Sequence, residues 1–448
     1  MNRRPRIAIA GAGAAGLTAT FAAARAGAEV LLVERSDGSQ SNLAIGGGLI
    51  AAAGTPAQAA AGIDDSPARW RADIDAATGS TLPEGLVTCV TAGAAPALAL
   101  IEAVCGDRFG LVEGGSIAGH SRPRLHELGD RSGPALAALM LQHAAALPGV
   151  QLLRDTPAEG LAIEAGRVTG INLAGRTERV DAVILASGGF GAAADLVARH
   201  IPALRGALHI GSPTNLGDAL RWTEALGIEG MFLEGYQGHG HATVDGMGRL
   251  GIGLTSMGAM LVDTTGRRFV REDTGPSAMA AHVLACPGGR AIEIWSEPQH
   301  ARFLHFAAYR DCISRGAVGR FDTLEALAAA HGLPEAALAR SLAEFNAAAA
   351  ETAADPLGRV SHGAPLAPPF WAAAVTGALA HTQGGLPIDA AARVIGPAGR
   401  PVPGLYAAGG AALGLTGAAP EGYLSGNGLG HAVALGAIAG AAAAGAAA

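Results

Sequence analysis

Apolar residues in the first forty positions come in unbroken runs and do not alternate with polar ones. Two such runs, Arg6 to Ala10 and Glu29 to Val33, flank a stretch of helical composition from Ala14 to Ala26. Short continuous runs bounded by turn residues fit strands buried on both faces, and the order strand, helix, strand predicts the opening of a βαβ unit. Ser41 to Gly54 is too glycine-dense to predict a packed element and reads as a loop. Helical patterns follow at Pro67–Ala77, Ala94–Cys105 and Pro134–Leu147, and strand patterns at Val150–Arg154, Val168–Ala174 and Arg179–Leu185. The texture changes between about Tyr236 and Trp371, where histidines, methionines and most aromatic residues concentrate, which predicts an inserted second domain. A strand-like Gly404–Gly409 and a Gly/Ala-rich tail from His431 then return to the first domain, the tail as a closing helix.

With 448 residues, half of them hydrophobic and 15% charged, the chain is expected to bury a large core in two domains and not to be disordered. A net charge of −7 with no basic run gives no reason to expect a nucleic-acid partner. Every basic side chain is arginine; lysine is absent. Together with the Ala and Gly excess this reads as GC-rich codon bias, so single Ala-rich stretches carry little weight. Cys89, Cys105, Cys286 and Cys312 show no CxxC spacing and are expected to be reduced thiols of a cytoplasmic protein. The arginines ahead of an apolar run at the N-terminus resemble a secretory signal, but the glycine spacing inside that run has its own mechanism. The tail from His431 is expected to be too short to span a bilayer, so no membrane is implied.

That mechanism lies in Gly11-Ala-Gly13-Ala14-Ala15-Gly16, set between the first strand and helix, with Glu34 and Arg35 closing the second strand. Gly11 permits the tight turn, Gly13 lets a pyrophosphate approach the helix N-terminus, and Gly16 allows close helix–strand packing. Glu34 is placed to accept from a ribose hydroxyl. The motif alone does not separate FAD from NAD. Ala186-Ser187-Gly188-Gly189, following an apolar strand, looks like the ATGG segment of FAD enzymes, and Gly404-Leu-Tyr-Ala-Ala-Gly409 looks like their GLYAAGE strand. There is one such glycine motif and no second one for NAD(P)H, so the electron acceptor or donor is an unidentified second substrate, a protein or oxygen.

With these segments and SNLAIGGGLIAAAGT, His120-Ser-Arg-Pro123, Asn215-Leu-Gly-Asp218, GRRFVRE, His381-Thr-Gln-Gly-Gly385 and the block Gly404–Gly440, the chain resembles the fumarate reductase/succinate dehydrogenase flavoprotein family over nearly its whole length. The resemblance implies an α/β fold: a Rossmann-type FAD-binding domain in two segments, 1–235 and 376–448, an α+β capping domain at 236–375, and an active site at their junction. It implies cofactor contacts at Gly11, Gly13, Ala14, Ala15, Gly16, Glu34, Arg35, Ser41, Gly47, Gly48, Ala158, Ser187, Gly188, Asn215, Asp218, His381, Gly409, Gly410, Asn427 and Leu429. At Gly410 the family usually carries a Glu on the ribityl chain. Covalent members attach the flavin to a His near Ser41; none is there, so FAD is expected to be noncovalent.

Dedicated fumarate reduction is not expected. By the resemblance, the carbon-protonating Arg falls on Pro276, the proton relay on Ile252 and Thr255, the carboxylate-binding Arg on Tyr423, and the first His of a His-His-Thr run on Ala380. A dicarboxylate would lose its electrostatic clamp. His239 alone aligns with a family substrate His. Glu421-Gly-Tyr423-Leu-Ser-Gly-Asn-Gly-Leu429 is more similar to the tricarballylate dehydrogenase and ketosteroid dehydrogenase branches, the latter using a Tyr here to polarise a carbonyl. The implied activity is introduction or reduction of a C=C bond beside a carbonyl or carboxylate of a small organic molecule. The alternatives are an ene-reductase of an unsaturated carboxylate and a flavin oxidase of an alcohol or amine. Tyr423 is the polarising candidate, and His239, His241 and His282 are candidates for the base. His239-x-His241 lacks a third ligand at metal spacing, so no metal is expected. With fourteen histidines in the chain, most are structural. Arg267, Arg268 and Arg271 read as a surface basic cluster.

Overall fold

In the computed structural model, which describes residues 3–112, 119–129, 132–246, 248–251 and 253–447, the opening pattern folds into strand β1 (Arg6–Ala10), helix α1 (Ala14–Arg25) and strand β2 (Glu29–Val33). β1 lies between β2 and the strand Ala182–Leu185, parallel to both, with Ala8 opposite Leu31 on one side and Val183 on the other. Strands covered on both faces have no polar side to show, which is why these runs do not alternate. The six-stranded sheet continues to Val150–Leu153 at one edge and through Pro401–Ala407 to Arg393–Ile395 at the other, where the last pairing is antiparallel.

The chain forms two compact units. The first comprises Met1–His200, Gly211–Tyr236 and His381–Ala448, and the second Ile201–Ile210 and Gln237–Ala380. Ile201–Ile210 goes with the second because Leu208 and His209 pair in parallel with Ala378 and Leu379.

In the first unit the closing helix, Asn427–Ala447, packs on α1 and on the helix Glu84–Cys105. A methyl group at Gly436 would stand 2.3 Å from the Ala15 carbonyl oxygen, and one at Gly440 2.3 Å from that of Ala19. These glycines are therefore required by helix-to-helix approach and are not compositional noise. Because the helix starts at Asn427 and not His431, it is long and apolar enough to cross a bilayer, as is Glu84–Cys105. That corrects the expectation drawn from the shorter tail. Both helices contribute to the core of this unit.

The second unit is α+β. Arg290–Ser296 pairs antiparallel with Met260–Asp263 and with Phe370–Thr382, and the latter also pairs with Tyr236–Thr243 and Gly319–Phe321. Period-two alternation divides the apolar side chains between two clusters, one around Leu261, Trp295 and Val375, the other around Met260, Ile294 and Phe370.

Three local expectations are corrected. Ser41–Gly54 contains a short helix, Asn42–Ile45, and a strand, Ile50–Ala51, and Ile50 to Ala53 are buried. The helix expected at Ala94 begins ten residues earlier, at Glu84. Arg267 and Arg271 are exposed, but the Arg268 side chain is only 4% exposed and is paired with Glu272 and Asp355.

Candidate functional site

The turn between β1 and α1 has the geometry that its glycines predict. Gly11 has φ +107°, and a methyl group there would lie 2.4 Å from the Ala186 carbonyl oxygen; at Gly16 it would lie 1.8 Å from that of Gly11. Neither position admits another residue. Gly13 differs: the nearest protein atom to its absent Cβ is Ser41 Cβ at 3.6 Å. Space that packing would permit a side chain to fill is left open at the N-terminus of α1, beside Ala14 and Ala15. This is where backbone N–H groups and the helix dipole favour a phosphate. Glu34, 7% exposed, accepts from the Ala12 N–H at 2.8 Å and from the Ser36 N–H and Oγ at 2.9 and 2.7 Å. The carboxylate is thus fixed in direction and retains lone-pair capacity for a further donor.

The structure also carries buried polar atoms that lack a partner among the described residues. Ser187 Oγ, Asn215 Nδ2 and Asn427 Nδ2 are three of them, all in the first unit and all expected cofactor residues. Leaving such groups unsatisfied costs roughly 1–3 kcal/mol each, so together they fit a polar ligand. The other amide atom of Asn427 is held by Trp70 Nε1 at 3.1 Å, which turns Nδ2 away from the indole. Ser41 caps the helix Asn42–Ile45 through the Ala44 N–H, and Gly48 has φ +70°. Among the described residues, chain neighbours aside, the nearest atom to a Cβ at Gly47 is Leu49 Cγ at 4.0 Å. Gly188 has φ +76° and abuts Asn215 Oδ1. Ala158 opens the strand Ala158–Glu164, and Leu429 is partly buried on the closing helix. Arg35 and Asp218 pair at 2.5 Å, bringing two of the expected residues together. Burial raises the Asp218 carboxyl, against the pull of Arg35.

At the C-terminal side, Gly409 has φ +61°. A Cβ at Gly410 would fall 2.7 Å from the Gly189 backbone nitrogen, so this backbone has no room for the Glu usual at that position. His381 and Tyr423 meet edge to face, ring centroids 5.8 Å apart. Gln383 Nε2 lies 2.8 Å from His381 Nδ1. Donation from this amide makes Nδ1 the acceptor and leaves the imidazole proton on Nε2. Burial lowers His381 to about 4 and raises the Tyr423 phenol to about 12, so both are neutral at pH 7.

In the second unit His239 and His241 share one face of Tyr236–Thr243. His239 is half-buried, with Gln237 Nε2 3.5 Å from its Nε2, whereas His241 is 1% exposed and its Nδ1 lies 2.9 Å from Glu293 Oε2. His282 is exposed on the helix Pro276–Leu284 and is not drawn to either histidine. Pro276 is the first residue of that helix, and the buried Thr255 offers its carbonyl to Arg359. Ile252 lies outside the described residues.

Sequence reasoning missed several partners. Arg124, 1% exposed, bonds both oxygens of Asp65 at 3.0 and 2.8 Å and pairs with Asp73. Its Nη1 lies 3.3 Å from His120 Nδ1, while His120 Nε2 donates to the Ser425 carbonyl at 2.8 Å. A buried ionic network thereby buttresses the turn that carries Tyr423. Burial lowers the His120 pKa, in keeping with the neutral ring. Trp70, Gln383 and Glu293 were missed as well; each lies far in sequence from any motif or reads as a generic residue within one.

Residues 6–429 match the FAD binding domain family. The chain is 29% identical to a fumarate reductase (cytochrome) of Shewanella frigidimarina, over 97% of this chain and 76% of the relative. It superposes on the open conformation of a flavocytochrome c3 fumarate reductase with a TM-score of 0.86 at 25% identity, covering 99% of this chain and 78% of the other. On the 3-ketosteroid-delta4-(5alpha)-dehydrogenase from Rhodococcus jostii RHA1 the TM-score is 0.77 at 27% identity, covering 99% and 100%.

Proposed function

The chain belongs to the FAD binding domain family and is an FAD-dependent oxidoreductase; from that premise we propose that it introduces or reduces a carbon–carbon double bond beside a carbonyl or carboxylate of a small organic substrate. The observation that carries this reading is the neutral phenol of Tyr423 set against neutral His381, in the same unit as the nucleotide turn. When bound, the flavin supplies the two-electron partner for hydride transfer. The protein's own part is to hold the oxygen of the substrate. A phenol that keeps its proton donates to a carbonyl oxygen, and that bond strengthens as the α-proton leaves and negative charge grows on the oxygen. Gly422 and Gly426 surround Tyr423 with backbone that takes no side chain: a Cβ would meet the Thr416 carbonyl at 2.2 Å or the Leu125 side chain at 2.3 Å. The relatives favour the same chemistry, since one is named for an unsaturated dicarboxylate and the other for a ketone.

Efficient fumarate reduction is disfavoured, because Pro276, Thr255 and Ala380 offer no proton or cation where the family resemblance would put one. We assign the cofactor as noncovalent, since the first histidine in the chain is His120. The four free thiols support a cytoplasmic setting. Tyr423→Phe should keep yellow, stoichiometric FAD and slow flavin reduction by a saturated ketone or acid by on the order of 10²-fold, the cost of one oxyanion donor. A variant that reduces as fast as wild type would leave Tyr423 as packing and remove the reading.

A further inference from the structure

We propose that Trp70 is a positioning residue for the cofactor: its indole N–H fixes the Asn427 amide so that Nδ2 donates to an acceptor atom of the flavin ring. The inference rests on FAD binding and not on the double-bond chemistry proposed above. An indole N–H donates and cannot accept, whereas an amide offers a donor and an acceptor of nearly the same shape. Trp70 Nε1 lies 3.1 Å from Asn427 Oδ1, so the amide has one permitted orientation. Nδ2 is left on the other branch, buried and without a partner among the described residues. Without the indole, the same amide is free to present either atom to a ligand.

The sequence holds the indole rigidly. Ser66 caps the helix Pro67–Thr78 through the Arg69 N–H, and Trp70 and Ile74, four residues apart on one face, are buried. A Cβ at Gly430 would stand 3.2 Å from Trp70 Cη2, so the ring lies against the first turn of the closing helix. It meets Asn427 and Gly430 there, which are three residues apart and share a face. A backbone carbonyl would satisfy a buried indole equally well. An Asn in its place leaves a second polar atom unmet in the interior, a cost that is recovered where a ligand takes that atom up.

The register of the closing helix on α1 decides which end of FAD the donor meets. Gly436 comes against the Ala15 carbonyl and Gly440 against that of Ala19, so the two helices run in step in the same direction. Asn427 is nine residues before Gly436. At the rise of an α-helix this sets it about 14 Å past the level of Ala15, beyond the turn suited to a pyrophosphate. At that level the first unit carries His381 and Tyr423: a Cβ at Gly428 would lie 3.5 Å from His381 Cε1, and that ring meets Tyr423. A flavin ring offers several oxygen and nitrogen acceptors and a single N–H, so an amide N–H is the matching group. A donor placed there also favours the reduced ring, whose electron density is higher.

The test uses the full chain as wild type, Trp70→Phe, Asn427→Leu and the double variant. Folding is followed by circular dichroism, FAD affinity by fluorescence titration of protein stripped of flavin, and the midpoint potential of bound FAD by anaerobic dye equilibration. Trp70→Phe should fold and bind oxidised FAD on the order of tenfold more weakly. It should bind the reduced form weaker by a further factor of about ten, which lowers the potential by about 30 mV. Asn427→Leu, which removes the donor outright, should lose at least as much, and adding Trp70→Phe to it should change affinity and potential no further. Losses that multiply in the double variant overturn the proposal, because they would be independent packing effects. Wild-type affinity and potential in either single variant overturns it, as does weaker binding at an unchanged potential, which would put the donor on the ribityl chain or a ribose. A Trp70→Phe chain that does not fold overturns it as well, since the indole would then serve the core alone.

Discussion

Gly436→Ala sets two effects of opposite sign against each other. Replacing a helix-interior glycine by alanine gains about 1 kcal/mol in backbone entropy and propensity. At Gly436, however, the new methyl group would stand 2.3 Å from the Ala15 carbonyl oxygen and 3.1 Å from its carbonyl carbon and Cα. These are backbone atoms of α1, in the turn that opens the nucleotide site, and no rotamer change relieves them. The closing helix must then move off α1, and overpacking of this kind costs about 1–3 kcal/mol. A gap of even half an ångström forfeits a further share of the dispersion between the two helices. The net is a loss of about 1–2 kcal/mol, which lowers Tm by roughly 1–2 °C in a protein of this size. Gly445→Ala on the same helix is the control, since among the described residues no heavy atom outside its own stretch of helix lies within 4 Å of its Cβ position. There the propensity gain stands alone, reduced by fraying, and Tm should stay level or rise slightly. Thermal melts of the FAD-bound variants by circular dichroism, with FAD affinity from flavin fluorescence, measure both. If Gly436→Ala is as stable as Gly445→Ala, the argument that these glycines exist for helix approach is wrong.

His431, 4% exposed, donates from Nε2 to the Leu413 carbonyl, and burial lowers its pKa to about 4. A folded-state pKa below the free value of about 6.5 means that its contribution is complete above pH 6.5 and is lost as pH falls towards 4, up to ~3 kcal/mol. His431→Gln should flatten the Tm-against-pH slope between pH 6.5 and 4, and an unchanged slope would show that the ring does not titrate there. Gly410→Glu restores the residue usual in the family, yet with Cβ 2.7 Å from the Gly189 nitrogen it should weaken FAD binding at least tenfold by flavin fluorescence titration. Tighter binding would show that the backbone yields and that the contact is recoverable.

The parts legible in the sequence were those set by neighbours in the chain. β1, α1 and β2 could be read because burial on both faces removes alternation and because Gly16 answers to the carbonyl of Gly11 in the turn just before it. Ser187, Asn215 and Asn427 were singled out through family motifs, and each has a buried atom without a partner among the described residues. Contacts between distant segments were not legible. Ile50–Ala51 is a strand in spite of the glycines before it because it pairs antiparallel with the distant Leu125–Leu128, Ile50 opposite His126 and Ala51 opposite Leu125. Arg268 looked like a surface charge because its partner Asp355 is 87 residues away. Trp70 orients Asn427 from 357 residues away, and Glu293 reaches His241 across 52. Periodicity does not report any of these.

The claim that matters most is that this protein makes or removes a double bond next to a carbonyl. It is tested by mixing FAD-loaded enzyme anaerobically with saturated ketones and carboxylic acids, following the 450-nm flavin band, and identifying the organic product by mass spectrometry. The account predicts that at least one compound bleaches the flavin and yields about one equivalent of the α,β-unsaturated product per FAD. Bleaching only by alcohols or amines, with peroxide released in air and no alkene formed, would contradict it.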